Sequence, residues 1–176
     1  MIKKLRFLKL HNTNTVGMTL VELVLYMGLL ILLISVLSSI FSAIIDVQLN
    51  STSVSSVDQD GNFILAKLTH DVASSSAILV PLNPGTVTNT MQITINSINY
   101  TYSINSSNNL QIVNNSTNAT DVLNSYNTQV SGLTFTRIGT GGNSDTVQVS
   151  YTITSRIRER AGEYETKSFT TSLGED

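Results

Sequence analysis

From Leu23 to Ile45 the chain runs for 23 residues without a charge, LVLYMGLLILLISVLSSIFSAII. As a helix this run spans roughly 35 Å, against a hydrocarbon core of ~30 Å, so it is long enough to cross a membrane. A cleaved secretory signal has an apolar region of only ~7 to 15 residues followed by a small-residue cleavage site. The run exceeds the first and lacks a clear second, which predicts that it stays in the mature protein. Lys3, Lys4, Arg6 and Lys9 precede it with no acid before Glu22, and Asp46, Asp58 and Asp60 follow it. Excess basic charge is held on the cytoplasmic side, so the expected topology is a single pass with the N-terminus inside and the C-terminal body outside.

What remains of the 176 residues is enough for one globular domain. Only 12% of the chain is charged, while 62 residues are Ser, Thr or Asn, so the body solvates itself with hydroxyls and amides. Beyond residue 17 there are 6 basic and 12 acidic residues, a net of −6, which argues against a polyanion as the body's main partner. The absence of Cys excludes disulfides, thiolate zinc sites, iron–sulfur clusters and cysteine nucleophiles together.

Two details do not suit an ordinary anchor. Glu22 stands at the mouth of the apolar run with no basic neighbour in sequence, although an intramembrane carboxylate costs up to ~3 kcal/mol even on the gentler insertion scales. Before it comes Gly17-Met18-Thr19-Leu20-Val21, with an unbranched Gly17 after a polar, basic leader of the kind a processing enzyme accepts in extended form. The stretch GMTLVELVLYMGLLILLISVL resembles the N-terminal signature of type IV pilins and type II secretion pseudopilins. The resemblance implies cleavage by a prepilin peptidase between Gly17 and Met18, N-methylation of Met18, and an assembly role for Glu22 at the fifth mature position, meeting the free amine of a neighbouring subunit. Two departures stand out: Met18 replaces the commoner Phe, and Ser39 stands where many major pilins carry a helix-kinking Pro. The second favours a minor subunit.

Along the body, Val57, Gly61, Ile64, Leu65, Leu68 and Val72 recur at helical spacing. Asp58, Asp60, Asn62, Lys67 and Asp71 fall on the opposite side, so the segment reads as an amphipathic continuation of the anchor helix, ending near Ala77 before Pro81 and Pro84-Gly85. Beyond Asn89 the period becomes two. Met91 to Ile95 and Ile98 to Ile104 form an expected hairpin about Asn96-Ser97; Leu110 to Val113, Val130 to Ile138, Val147 to Ile153 and Tyr164 to Thr171 are further strands, with a loop at Gly139 to Asn143. The expected fold class is α+β, one long helix whose amphipathic half packs on five to seven antiparallel strands. This order resembles the pilin architecture, and more narrowly the minor J-like or PilW-like subunits.

Three local patterns offer chemistry and each has a plainer reading. His70-Asp71 are adjacent on a helix and so diverge, and no second His follows the leader. Asp58-Gln59-Asp60-Gly61-Asn62 is similar to the start of a calcium loop, but Phe63 and Thr69 stand where the sixth-position Gly and closing Glu are required. Arg156, Arg158 and Arg160 form the only basic cluster beyond the leader, a candidate contact for DNA or for a filament neighbour, against a solvated edge-strand guard.

With no catalytic constellation and no cofactor motif, the chain is expected to be structural rather than an enzyme. The resemblance implies a leader at residues 1–17, a transmembrane and assembly helix at 18–50 and an extracytoplasmic pilin-like domain at 51–176. It implies a place in the bacterial cytoplasmic membrane and then in an extracytoplasmic filament. Its implied partners are a prepilin peptidase, other pilin or pseudopilin subunits, membrane lipid before assembly, and an inner-membrane assembly platform with its cytoplasmic ATPase; nucleic acid is the weakest candidate. The rival reading is a single-pass surface adhesin or ligand-binding β domain that keeps residues 1–17.

Overall fold

The computed structural model describes residues 17–138, 146–158 and 162–174. Most of the leader, the Gly139 to Asn143 loop and Arg160 lie outside the described residues. The chain divides into two units, Met1–Ala43 and Ile44–Asp176. One helix, α1 (Leu20–Ala73), contributes to both.

In the first unit every described residue is exposed, including Leu23, Leu29, Leu33 and Phe41. An uninterrupted apolar surface of this length has no protein core to enter and is compatible with a single-pass anchor. Its hydroxyls do not break the helix: Ser39 Oγ donates back to Ser35 O at 3.0 Å.

In the second unit α1 is amphipathic. Val57, Gly61, Ile64, Leu68 and Val72 are buried, joined by Ser53 and Asp71, while Leu65 is only half-buried. The helix stops at Ala73, four residues earlier than its sequence suggests. Ser75 Oγ donates to Val72 O and Ser76 N to Thr94 O, so the Ser74-Ser75-Ser76 run satisfies the last turn with hydroxyls and hands the backbone to a sheet.

That strand is β1 (Ala77–Val80), followed by β2 (Val87–Thr88), β3 (Met91–Ile95), β4 (Ile98–Ile104), β5 (Leu110–Asn114) and β6 (Ala119–Val122). After them come β7 (Thr128–Arg137), β8 (Thr146–Ser155) and β9 (Thr166–Gly174). Nine strands among the described residues exceed the five to seven expected. They form two antiparallel sheets, ordered β1-β3-β4-β5-β6 and β2-β7-β8-β9.

The β3–β4 hairpin pairs Ile95 with Ile98 about Asn96 and Ser97, whose φ angles of 51° and 65° give the twist a two-residue turn needs. Asn108 and Asn118 adopt the same left-handed region between β4 and β5 and between β5 and β6. Asparagine tolerates that region because its short amide bonds locally, which gives the Asn-rich composition a structural use. In β7 the pairing slips by one residue between Ser131 and Thr134, with Gly132 at φ 61°. This bulge resets the alternation, so Val130, Leu133 and Phe135 all reach the core despite their uneven spacing.

One core holds helix and sheets together. Ile64, Leu68 and Val72 share it with Met91, Ile93 and Tyr102 of the first sheet and with Phe135, Val149 and Tyr151 of the second. Gly61 is the point of closest approach: a Cβ there would fall 2.0 Å from Cζ of Phe169, which stacks on Tyr151 at 5.3 Å. The Tyr151 hydroxyl donates to Gly61 O at 2.9 Å.

Candidate functional site

Thr19 caps α1. Its Oγ1 accepts from Glu22 N at 3.2 Å and its carbonyl from Leu23 N at 3.1 Å, which places Glu22 third in the helix, at the acidic position of a capping box. A carboxylate there meets the positive end of the helix dipole. Tyr26, one turn on, donates its hydroxyl to Glu22 Oε1 at 3.1 Å. Glu22 Oε2 has no partner among the described residues. The Thr-x-x-Glu spacing was readable in the sequence and gives Glu22 a local role beside any assembly role.

Gly17 and Met18 precede the helix and are exposed. A Cβ on Gly17 would meet nothing within 4 Å, and its backbone is not left-handed. The fold itself therefore places no demand for glycine at that position.

In the second unit the acids that resemble a calcium loop are already engaged. Asp58 pairs with Lys167 at 2.6 Å, and Asp60 Oδ2 accepts from Ser125 N at 2.9 Å, Ser125 Oγ at 2.8 Å and the Thr128 hydroxyl. Asp60 thus ties the helix to the link between β6 and β7. Asn124 strengthens the same link, accepting from Leu110 N at 2.9 Å and donating to Thr128 O at 3.1 Å.

Arg156 belongs to this knot. Its Nε donates to Thr128 O at 2.7 Å and its Nη2 to Ser107 O at 2.7 Å, with Asn109 Oδ1 at 3.2 Å. The structure gives it an internal role, clipping the β4–β5 turn to the start of β7. Arg158 is exposed, and Gly162 packs close to its guanidinium.

Asp71, expected on the solvated side, is buried. Lys67 Nζ donates to its Oδ1 at 2.9 Å and the buried Tyr102 hydroxyl to its Oδ2. A buried carboxylate needs such partners, and sequence periodicity carries no sign of a tyrosine 31 residues away. Burial, followed by the hydrogen bond to Asp71, pushes the Tyr102 phenol well above its ordinary pKa; burial alone does the same for Tyr151. His70 bonds Ser74 Oγ through Nδ1 at 3.1 Å and does not join Asp71 in a site.

Beside this pair opens a cleft of about 540 Å³ between the flank of α1 and the β5–β6 end of the first sheet. Phe63 and Lys67 form one wall, Asp121 and Val122 the other, with Tyr100 and Ile112 behind. No group of His, Cys, Asp and Glu among the described residues is arranged to hold a metal ion. No protein-family model matches the chain, and no curated protein or solved structure matches it significantly.

Proposed function

We propose that this chain is a minor pilin or pseudopilin, a structural subunit cleaved between Gly17 and Met18, N-methylated at Met18 and drawn from the bacterial cytoplasmic membrane into a helical filament. The observation that carries the reading is the segment Gly17 to Glu22: an exposed glycine that the fold does not require, followed at once by an uncovered apolar helix with a single carboxylate in its first turn. A glycine with no structural reason fits an external reader of extended backbone, which is what a prepilin peptidase is. The second unit supports the reading in general form, being a β-rich body packed on the latter part of the same helix.

Glu22 serves assembly in this account. Removing the leader creates a cationic amine at Met18, and in an apolar helix bundle a carboxylate on a neighbouring subunit is its natural match. Methylation leaves the amine charged. Glu22 Oε2 is left open for that contact while Oε1 engages Tyr26.

The rival reading, an uncleaved anchor carrying a surface ligand-binding domain, draws on one observation: the Thr19 cap gives Glu22 a sufficient local reason to exist. Co-expression with a prepilin peptidase separates the two. The proposal expects a chain starting at N-methylated Met18, and a block to cleavage in Gly17→Val, whose branched side chain crowds the scissile backbone. An intact Met1 leader on protein made beside an active peptidase supports the rival.

A further inference from the structure

The cleft beside Lys67 is not used by either reading, and its chemistry is unusual for a surface hollow. It lies between the flank of α1 at Phe63 and Lys67 and the first sheet, next to β6, whose four residues are all exposed. Asn114 and Ala119, and Ile112 and Asp121, are cross-strand partners there, so both pairs present side chains to the same hollow. Its volume of about 540 Å³ falls in the range of small-molecule sites.

Its hydrogen-bonding capacity is largely unspent. Asp121 has no hydrogen-bond or ion-pair partner among the described residues, and neither does the Tyr100 hydroxyl. Asn114 uses Oδ1 to accept from Ser116 N and Thr117 N, leaving its amide donors free. Lys67 spends one of three N–H donors on Asp71. These polar groups sit over apolar Ile95, Ile112 and Leu123, with the Phe63 ring 54% exposed at the rim.

We propose that this cleft binds a neutral, hydroxyl-rich ligand of mono- to disaccharide size, its apolar ring face on Phe63 and its hydroxyls on Asp121, Asn114 and Lys67. Hydroxyls both donate and accept, which matches a site offering a carboxylate acceptor beside ammonium, amide and phenol donors. An anionic ligand meets two carboxylates, Asp71 and Asp121, and one lysine already paired. A wholly apolar ligand strips water from these groups without replacing it. An added peptide strand needs the free edge of β6, whereas the hollow opens on the sheet's face.

The test uses the full chain in phospholipid nanodiscs, avoiding sugar-headed detergents that compete for the site. Saturation-transfer NMR with methyl glucoside, methyl galactoside, methyl N-acetylglucosaminide and chitobiose is followed by a neutral-glycan array, with a blocked Val/Thr tetrapeptide as the strand probe. At least one saccharide gives transfer, and Asp121→Ala and Phe63→Ala, both at exposed positions, each weaken it about tenfold, the loss of one charge-assisted hydrogen bond or one ring contact. Unchanged circular dichroism in both variants keeps the effect local. Three results overturn the proposal: no saccharide bound on NMR or array, saccharide binding equal in wild type and both variants, or the tetrapeptide bound in place of saccharide with the same dependence on Asp121.

Discussion

The two parts of α1 obey the same backbone rules in different solvents. Between Leu23 and Ile45 all sides of the helix are apolar and none is covered; between Ser53 and Val72 a stripe from Ser53 through Val57, Gly61, Ile64 and Leu68 to Val72 is buried and the remaining faces are mostly polar. Helical propensity does not separate them, since both are continuous helix. The difference lies in what covers each surface: nothing among the described residues in the first case, which is compatible with a membrane anchor, and two sheets in the second. Glycine makes the contrast sharpest: Gly28 faces open space, while Gly61 exists because Phe169 occupies the place of its missing side chain.

The largest expected effect comes from placing a charge on each part. Leu68→Asp puts an unpaired carboxylate into the core and should cost roughly 3–5 kcal/mol, enough to abolish cooperative unfolding of a soluble chain of residues 51–176. Leu30→Asp should leave the body folded, yet disfavour membrane insertion by ~2.5–3.5 kcal/mol. Thermal melts and membrane fractionation check the pair; equal melting of Leu68→Asp and wild type breaks the comparison.

Next in size are the glycines. Gly61→Ala gains helix propensity but must displace the Phe169 ring, a net loss of about 1–3 kcal/mol in chemical denaturation. Gly28→Ala has nothing to displace and should strengthen the first part of α1 by up to ~1 kcal/mol without moving the body's midpoint.

Alkaline pH probes the buried phenols of the second part. Tyr102 and Tyr151 have folded pKa values raised by burial, so their contribution is complete below the unfolded phenol value near 10 and is lost as pH rises beyond it. Stability should be flat with respect to these groups up to about pH 9, then fall with a slope that steepens through pH 10 toward about 1.4 kcal/mol per buried phenol per pH unit near pH 11. Unfolding curves between pH 8 and 11 read this directly, and a flat profile across that window contradicts the burial of both phenols.

The smallest effect belongs to the cap. Thr19→Ala removes the acceptor for Glu22 N and should cost about 1 kcal/mol, seen as faster amide exchange in the first turn of α1 with no change in the body's melting.

Much of this contrast is written in period and charge. The uncharged run, the Val57 to Val72 stripe, the Asn96-Ser97 hairpin and the alternating Val147 to Ile153 strand each depend on neighbours close in sequence, where periodicity speaks directly. What stayed hidden depends on partners far away. Asp71 reads as solvated until Tyr102 is placed beside it, and Arg156 reads as a free cation until Thr128 and Ser107 close on it. Strand β6 has all four residues exposed and therefore no alternation to detect. The early end of α1 is a contest between serine hydroxyls and the helix ladder, decided by the β1–β3 pairing that follows. Of the candidate site, Gly17, Met18 and Glu22 were legible as a motif, whereas the cleft needed Phe63 and Asp121, 58 residues apart, to be brought together.

The central functional claim is that the mature chain leaves the membrane through a contact made by Glu22. Tagged wild type and Glu22→Ala, each co-expressed with the peptidase and companion subunits, are compared in membrane and sheared-filament fractions. The account predicts that both are cleaved at Met18 and inserted, that wild type appears in the filament fraction, and that Glu22→Ala stays in the membrane. Equal incorporation of Glu22→Ala, or wild type found wholly in the membrane with its leader attached, contradicts it.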